Sequence, residues 1–297
     1  MQKHVISVLA AGALWGLMGF FTRNLAEYGI SSTGAILLRC GVAAICFGLT
    51  ILITGPGQFR VKPQHFWCFF GSGICSLLFF TYCYFEAITL MSLSTAAILL
   101  YTAPTIVMLL SAVFFKEKIR PVKLAALVLA FAGCCLVSGM GMGDSALSLT
   151  GLLYGLGAGV GYALYSIFAR CALNRGYSSS TVNFYSCLLA ALGAALIWGV
   201  EEPVAALTGA PACIVLSLAM GAVSCYLPYL LYTYGLTGLE TGRASVLSSF
   251  EPVMATLVGI IVFHEPMTIM SACGVLCVLA AIVLLNVRFK RRTAKKA

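Results

Sequence analysis

The chain has 297 residues, enough for two soluble domains, but 61% of them are hydrophobic and only 9% charged. Ordinary globular proteins carry about 25% charged residues, and a soluble fold of this size has no way to hide so much apolar surface, so lipid has to be part of the solvent. Charge is lopsided too, with 18 Lys+Arg against 9 Asp+Glu, yet six of the basic residues (Arg288, Lys290, Arg291, Arg292, Lys295, Lys296) fall in the last ten positions. Basicity so local marks one side of a membrane and is not the footprint of a nucleic-acid partner.

A transmembrane helix takes roughly 20 mostly apolar residues. Ten such runs follow one another, at 5–22, 32–53, 66–89, 94–115, 122–140, 149–170, 180–200, 212–236, 242–263 and 267–287. The breaks are short and carry turn chemistry, as in Thr54-Gly55-Pro56-Gly57, Gly141-Met142-Gly143-Asp144 and Glu201-Glu202-Pro203. With the N-terminus placed in the cytoplasm and sides alternated, the inside receives Lys3, Arg60, Lys62, Lys116, Lys118, Arg120, Lys123, Arg170, Arg175, Arg243 and the six tail residues, sixteen of the eighteen. Arg23 falls outside and Arg39 within the second run, while Glu27, Asp144, Glu201, Glu202 and Glu265 lie outside. That sorting follows the positive-inside rule. The expectation is an all-α membrane protein of ten transmembrane helices with both termini inside. The thirteen cysteines are scattered singly through the apolar runs, apart from Cys134-Cys135, and read as small hydrophobes between helices. No metal or cofactor is expected.

The chain also repeats itself. The stretch from Tyr84 to Glu117 realigns on Tyr232 to Glu265 at a constant offset of 148, pairing Thr89 with Thr237, Ala96 with Ala244, Pro104 with Pro252 and Phe115 with Phe263. A looser match pairs Trp15 with Tyr165 and Ser32-Thr33 with Ser180-Thr181. Two five-span repeats are therefore expected, 1–141 and 149–287, followed by a basic cytoplasmic tail, 288–297. An odd number of spans per repeat forces the second to enter the membrane upside down, and the first run belongs to the repeat, so it is not a cleaved signal peptide.

The duplicated pattern, Ala96…Pro104-x12-Glu117 and Ala244…Glu251-Pro252-Val253-Met254-Ala255…Phe263-His264-Glu265, resembles the EamA-type transporters of the drug/metabolite transporter superfamily. The resemblance covers nearly the whole chain. It implies a ten-helix bundle and export or exchange of small metabolites, often amino acids, across a bacterial cytoplasmic membrane, without naming a ligand.

Few residues inside the spans can carry chemistry. Pro104 and Pro252 each remove an amide near mid-span and free the carbonyl of Leu100 or Ser248, which makes either a hinge or a kink relieved by neighbours. Glu251 lies near the midplane, where an ionised carboxylate costs several kcal/mol unless paired or hydrated, so it is expected to face a cavity and to bind an amine or cycle a proton. Glu86 ends a stripe with Cys75, Phe79 and Tyr82 on one helix face, suited to the outer part of a substrate path or to simple contact with water. Arg39 is placed to neutralise a substrate carboxylate, to pair with Glu86 or Glu251, or to snorkel outward. Of the aromatics inside spans (Trp15, Tyr82, Tyr101, Tyr162, Tyr165, Tyr229, Tyr232), we take Trp15, Tyr82, Tyr101, Tyr165 and Tyr229 as candidate cavity lining. Gly12-x3-Gly16, Gly155-x3-Gly159 and Gly157-x3-Gly161 allow close helix approach. Glu117 and Glu265 are expected to cap the next helix or pair with a nearby cation.

These features point to a secondary transporter of a small amphipathic solute such as an amino acid, working by alternating access in the direction of export, as a monomer or weak homodimer in the lipid bilayer. The coupling ion is a proton at Glu251, or there is none; without a Walker motif, ATP is not the direct energy source. A membrane-embedded enzyme lacks a catalytic constellation, since His4, His65 and His264 all fall at span borders and the sole Asp is Asp144. A lipid scramblase or scaffold leaves the repeat unexplained.

Overall fold

The computed structural model describes residues 2–91, 93–138, 149–264 and 266–286, the side chains of 93 and 94 aside. Asp144, Glu265 and the basic tail lie outside the described residues. Every regular element among the described residues is helical. In chain order the apolar helices are α1 (Gln2–Ala26), α2 (Ser32–Thr54), α3 (Pro63–Leu90), α4 (Thr95–Phe115), α5 (Pro121–Val137), α6 (Leu149–Leu173), α7 (Ser179–Trp198), α8 (Pro211–Gly238), α9 (Thr241–Phe263) and α10 (Ile269–Leu285). Eight of them are long and apolar enough to cross a membrane, while α5 and α10 are shorter. A further short helix, Glu201–Gly209, joins α7 to α8.

Large apolar side chains cover the outside of the bundle. Ile53 is 85% exposed, Leu196 87% and Ile269 84%, which is unfavourable in water and neutral in lipid tails. All thirteen cysteines are free, and most are buried between helices.

Contacts between connections define two ends of the bundle. At one, His4 Nδ1 lies 3.2 Å from the Tyr234 carbonyl, Glu117 accepts from the Thr241 amide at 2.6 Å, and Lys62 donates its amide to Tyr177 Oη at 3.1 Å. At the other, the Ser31 amide donates to Glu202 Oε1 at 2.6 Å, and Arg23 stacks 4.5 Å from the Phe263 ring. Thus α1 starts where α6 ends, and α4 ends where α9 starts. The two halves run in opposite directions through one bundle.

Local irregularities recur in both halves. A wide π-type turn interrupts α3 at Gly73–Leu78 and α8 at Ala222–Tyr226. Lys116 (φ 55) and His264 (φ 54) close α4 and α9 in the left-handed conformation, 148 positions apart as the repeat predicts. Ser31 and Ser178 cap α2 and α7 by accepting from the amides of Gly34 and Thr181. Those caps differ by 147 positions, one less than the sequence repeat. Each is also met by the opposite half, Glu202 at Ser31 and Gln58 at Ser178.

Candidate central cavity

A narrow cavity sits where the halves meet, lined by Trp15 from α1, Ser76 and Phe80 from α3, Tyr162 and Tyr165 from α6, and Tyr229 and Tyr232 from α8. Its atom-free space is about 310 Å³, in a volume range typical of small-molecule sites only if the walls part. Trp15 meets Tyr229 edge-on at 5.3 Å and Tyr232 at 5.4 Å, and Tyr165 meets Tyr229 at 4.8 Å. Hydroxyls are tied down around it: Tyr165 donates to Asn183 Oδ1 at 2.5 Å, and Ser166 and Tyr232 share a bond at 2.7 Å. Ser76 is the exception, its buried hydroxyl lacking a partner among the described residues.

Glu251 borders this aromatic wall. Tyr162, which lines the cavity, donates its hydroxyl to Glu251 Oε2 at 3.2 Å. Tyr84 and Tyr101 are within electrostatic range of the same carboxylate. The reason a carboxylate is tolerated at this depth is local. α9 is interrupted by a turn at Ser249–Phe250 and restarts at Glu251, so the carboxylate stands at the amino end of a helical segment, where free amides and the helix dipole favour negative charge. Pro252 occupies the second position of that segment and Pro104 the second position of Ala103–Phe115 in α4. Each proline thus opens a new helical segment, where a missing amide costs little, instead of kinking a continuous helix. The break in α9 is covered by α1, with the Ser248 carbonyl against Gly12, and the break in α4 by α6, with the Leu99 carbonyl against Gly159.

Arg39 is only 3% exposed. Its guanidinium touches the Met18 sulfur at 2.8 Å, its Nε has no hydrogen-bond partner, and no carboxylate lies within ion-pair distance among the described residues. Snorkelling and pairing with Glu86 are therefore not what the structure has. Arg39 lies within electrostatic range of cavity-lining Tyr229 and of Glu251.

The structure brings Trp15, Tyr165 and Tyr229 into the cavity wall and sets Tyr101, Glu251 and Arg39 beside it. Tyr82 and Glu86 depart from the expectation. Tyr82 is 40% exposed and pairs edge-on with Tyr154, and Phe79 on the same stripe is 43% exposed. The π-type turn at Gly73–Leu78 explains this: its extra residue rotates the register, so the face from Ser76 to Phe80 turns inward and the Phe79–Tyr82–Glu86 face turns outward. Ser76, Phe80, Ser166, Ser248 and Asn183 were missed by the sequence reading, because nothing in a run of apolar residues marks which serine faces the interior.

At the basic end the cavity is sealed. Glu117 accepts from the amides of Thr241 (2.6 Å) and Gly242 (3.2 Å) and lies 3.8 Å from Arg170, which itself donates to the carbonyls of Leu236 and Leu239. Glu117 therefore caps α9 of the opposite half, not the next helix α5, because antiparallel packing brings that amino terminus closer. Lys123 adds an ion pair to Glu240 across the same seam.

The sequence profile of the EamA-like transporter family matches residues 2–139 and again 149–287. The chain belongs to the EamA-like transporter family. It is 26% identical over 305 residues to the uncharacterized transporter YwfM of Bacillus subtilis, covering 100% of this chain and 99% of that one. The threonine/homoserine exporter RhtA of Escherichia coli is 31% identical over 205 residues, 67% of this chain and 64% of its own. A solved crystal structure with 19% identity superposes with a TM-score of 0.81 over 96% of each chain, and so shares the fold. The EamA member described here is accordingly a multi-pass membrane transporter.

Proposed function

We propose that this EamA protein is a secondary transporter that exports a small zwitterionic metabolite, an amino acid or close analogue, across a bacterial cytoplasmic membrane by alternating access. All ten helices span the bilayer in this reading, and both termini face the cytoplasm, where the basic end of the bundle meets anionic lipid. The observation that carries it is a pair of opposite charges beside one cavity that do not neutralise each other: Glu251, held by Tyr162, and Arg39, with no carboxylate partner. An unpaired buried charge is costly and is kept where a ligand supplies the counter-charge. A substrate ammonium meets Glu251 and the tyrosines around it, its carboxylate meets Arg39, and its side chain stacks among Trp15, Tyr165 and Tyr229. Pro104 and Pro252, at the breaks of α4 and α9, are where the segments re-angle between states. The name of the relative RhtA supports an amino-acid class and the direction of export.

Purified protein in liposomes loaded with a mixture of labelled amino acids tests the reading. Glu251→Gln is expected to lower saturable flux at least about 10-fold, equivalent to ~1.4 kcal/mol, with insertion intact. Flux at the parent rate across the pH range would make Glu251 structural. A pH gradient that accelerates the parent but not Glu251→Gln assigns proton exchange to this carboxylate; no acceleration of either assigns facilitated diffusion. Overexpression against toxic amino-acid analogues, dipeptides and nucleobases reads substrate class and direction together.

A further inference from the structure

A second concave site lies far from the cavity, at the basic end. The connection between α2 and α3 and the connection between α6 and α7 together enclose a surface recess lined by Gln58, Arg60, Lys62, His65, Arg175 and Ser178, among others. Three cations and an imidazole converge there, no carboxylate lines it, and neither Arg60 nor Lys62 has an ion-pair partner among the described residues. Tyr177 organises the floor: its hydroxyl accepts from the Lys62 amide at 3.1 Å and lies 2.9 Å from His65 Nδ1. With that oxygen already accepting, its proton points at Nδ1, which leaves His65 Nε2–H as a further donor. Arg175 is braced by the Cys171 carbonyl (2.8 Å) and by the Trp67 ring (4.9 Å). The depth of the recess is independent information. On the adjoining turns of α3, Phe66 (42%), Trp67 (45%) and Phe70 (46%) are exposed large apolar groups, the mark of an aromatic belt at the headgroup level.

We propose that this recess binds the phosphate of an anionic phospholipid, with the acyl chains lying over Phe66, Trp67 and Phe70. Because the recess is built from one connection of each half, the headgroup bridges the halves on the outside while the cavity lies between them. A cationic pocket at the bilayer boundary favours phosphodiesters that carry net charge over zwitterionic headgroups.

Detergent-purified full-length protein titrated with phosphatidylglycerol should retain lipid in native mass spectrometry and rise in Tm, and phosphatidylcholine should do neither. Arg60→Ala/Lys62→Ala, at two exposed positions whose loss leaves the fold alone, should weaken retention about five-fold for each cation removed, with Arg175→Gln adding a similar factor. Lys118→Ala/Arg120→Ala, which removes as much charge at the same end, should retain the parent affinity. Equal weakening in both doubles would reduce the effect to overall surface charge and overturn the site. Stabilisation by millimolar inorganic phosphate with none by phosphatidylglycerol would overturn the lipid and make it a soluble-phosphate site.

Discussion

Arg39 shows how a single residue separates stability from function in this protein. A guanidinium at 3% exposure without a carboxylate partner is a net cost to the fold, offset only by the Met18 sulfur and nearby dipoles. Arg39→Met should therefore unfold at or above the parent temperature, a gain of up to about 1–4 kcal/mol, while transport falls at least about 10-fold. Thermal unfolding and liposome flux measured on the same preparation check both arms, and retained flux would remove Arg39 from the site. Tyr162→Phe deletes the hydroxyl that holds Glu251 and should cost about 0.5–1.5 kcal/mol at that contact, read as a rise in half-saturating substrate concentration with insertion unchanged. At this scale the sequence revealed Trp15, Tyr165, Tyr229, Arg39 and Glu251, because aromatic and ionisable residues stand out in apolar runs. Tyr82 and Glu86 were misjudged because one extra residue in a π-type turn, invisible to periodicity, rotates everything after it.

Elements approach one another through backbone. A Cβ on Gly16 would lie 2.6 Å from Met254 Cβ and 2.8 Å from the Glu251 carbonyl oxygen, so α1 rests directly on the restart of α9. Gly19, three positions on, has nothing within 4 Å of such a Cβ. Gly16→Ala should accordingly lower stability by about 1–3 kcal/mol and disturb transport, whereas Gly19→Ala should be near neutral; a thermal shift assay on the two variants decides it. The seam at the basic end yields a separate expectation. Glu117→Gln keeps the acceptor oxygen but removes the charge that faces Arg170 and the amides of α9, so this end should open more often. Faster alkylation of Ser166→Cys from the basic side, in a background lacking reactive native cysteines, is the expected readout, and an unchanged rate would mean that Glu117 merely caps. The small-residue spacing of Gly12-x3-Gly16 and Gly155-x3-Gly159 was legible as close approach, but not what approaches: partners come from helices remote in sequence.

Across the whole molecule, charge and chain direction agree. The contacts gather Lys3, Lys62, Lys123, Arg170 and Arg175 at one end, and Glu202 and Arg23 at the other. If that basic end is cytoplasmic, a green fluorescent protein fused after Ala297 should fluoresce and alkaline phosphatase fused there should stay inactive; the reverse pattern would invert the orientation. What the sequence determined by itself is the membrane class, the runs that become helices, the repeat and the family, since hydropathy, charge and internal similarity are written residue by residue. Which faces turn inward, that Glu117 caps α9 and not α5, and that Arg39 stays unpaired beside the cavity were decided only by tertiary structure. Those facts depend on helix rotation and on packing between antiparallel halves, and neither leaves a local mark in an almost uniformly apolar chain.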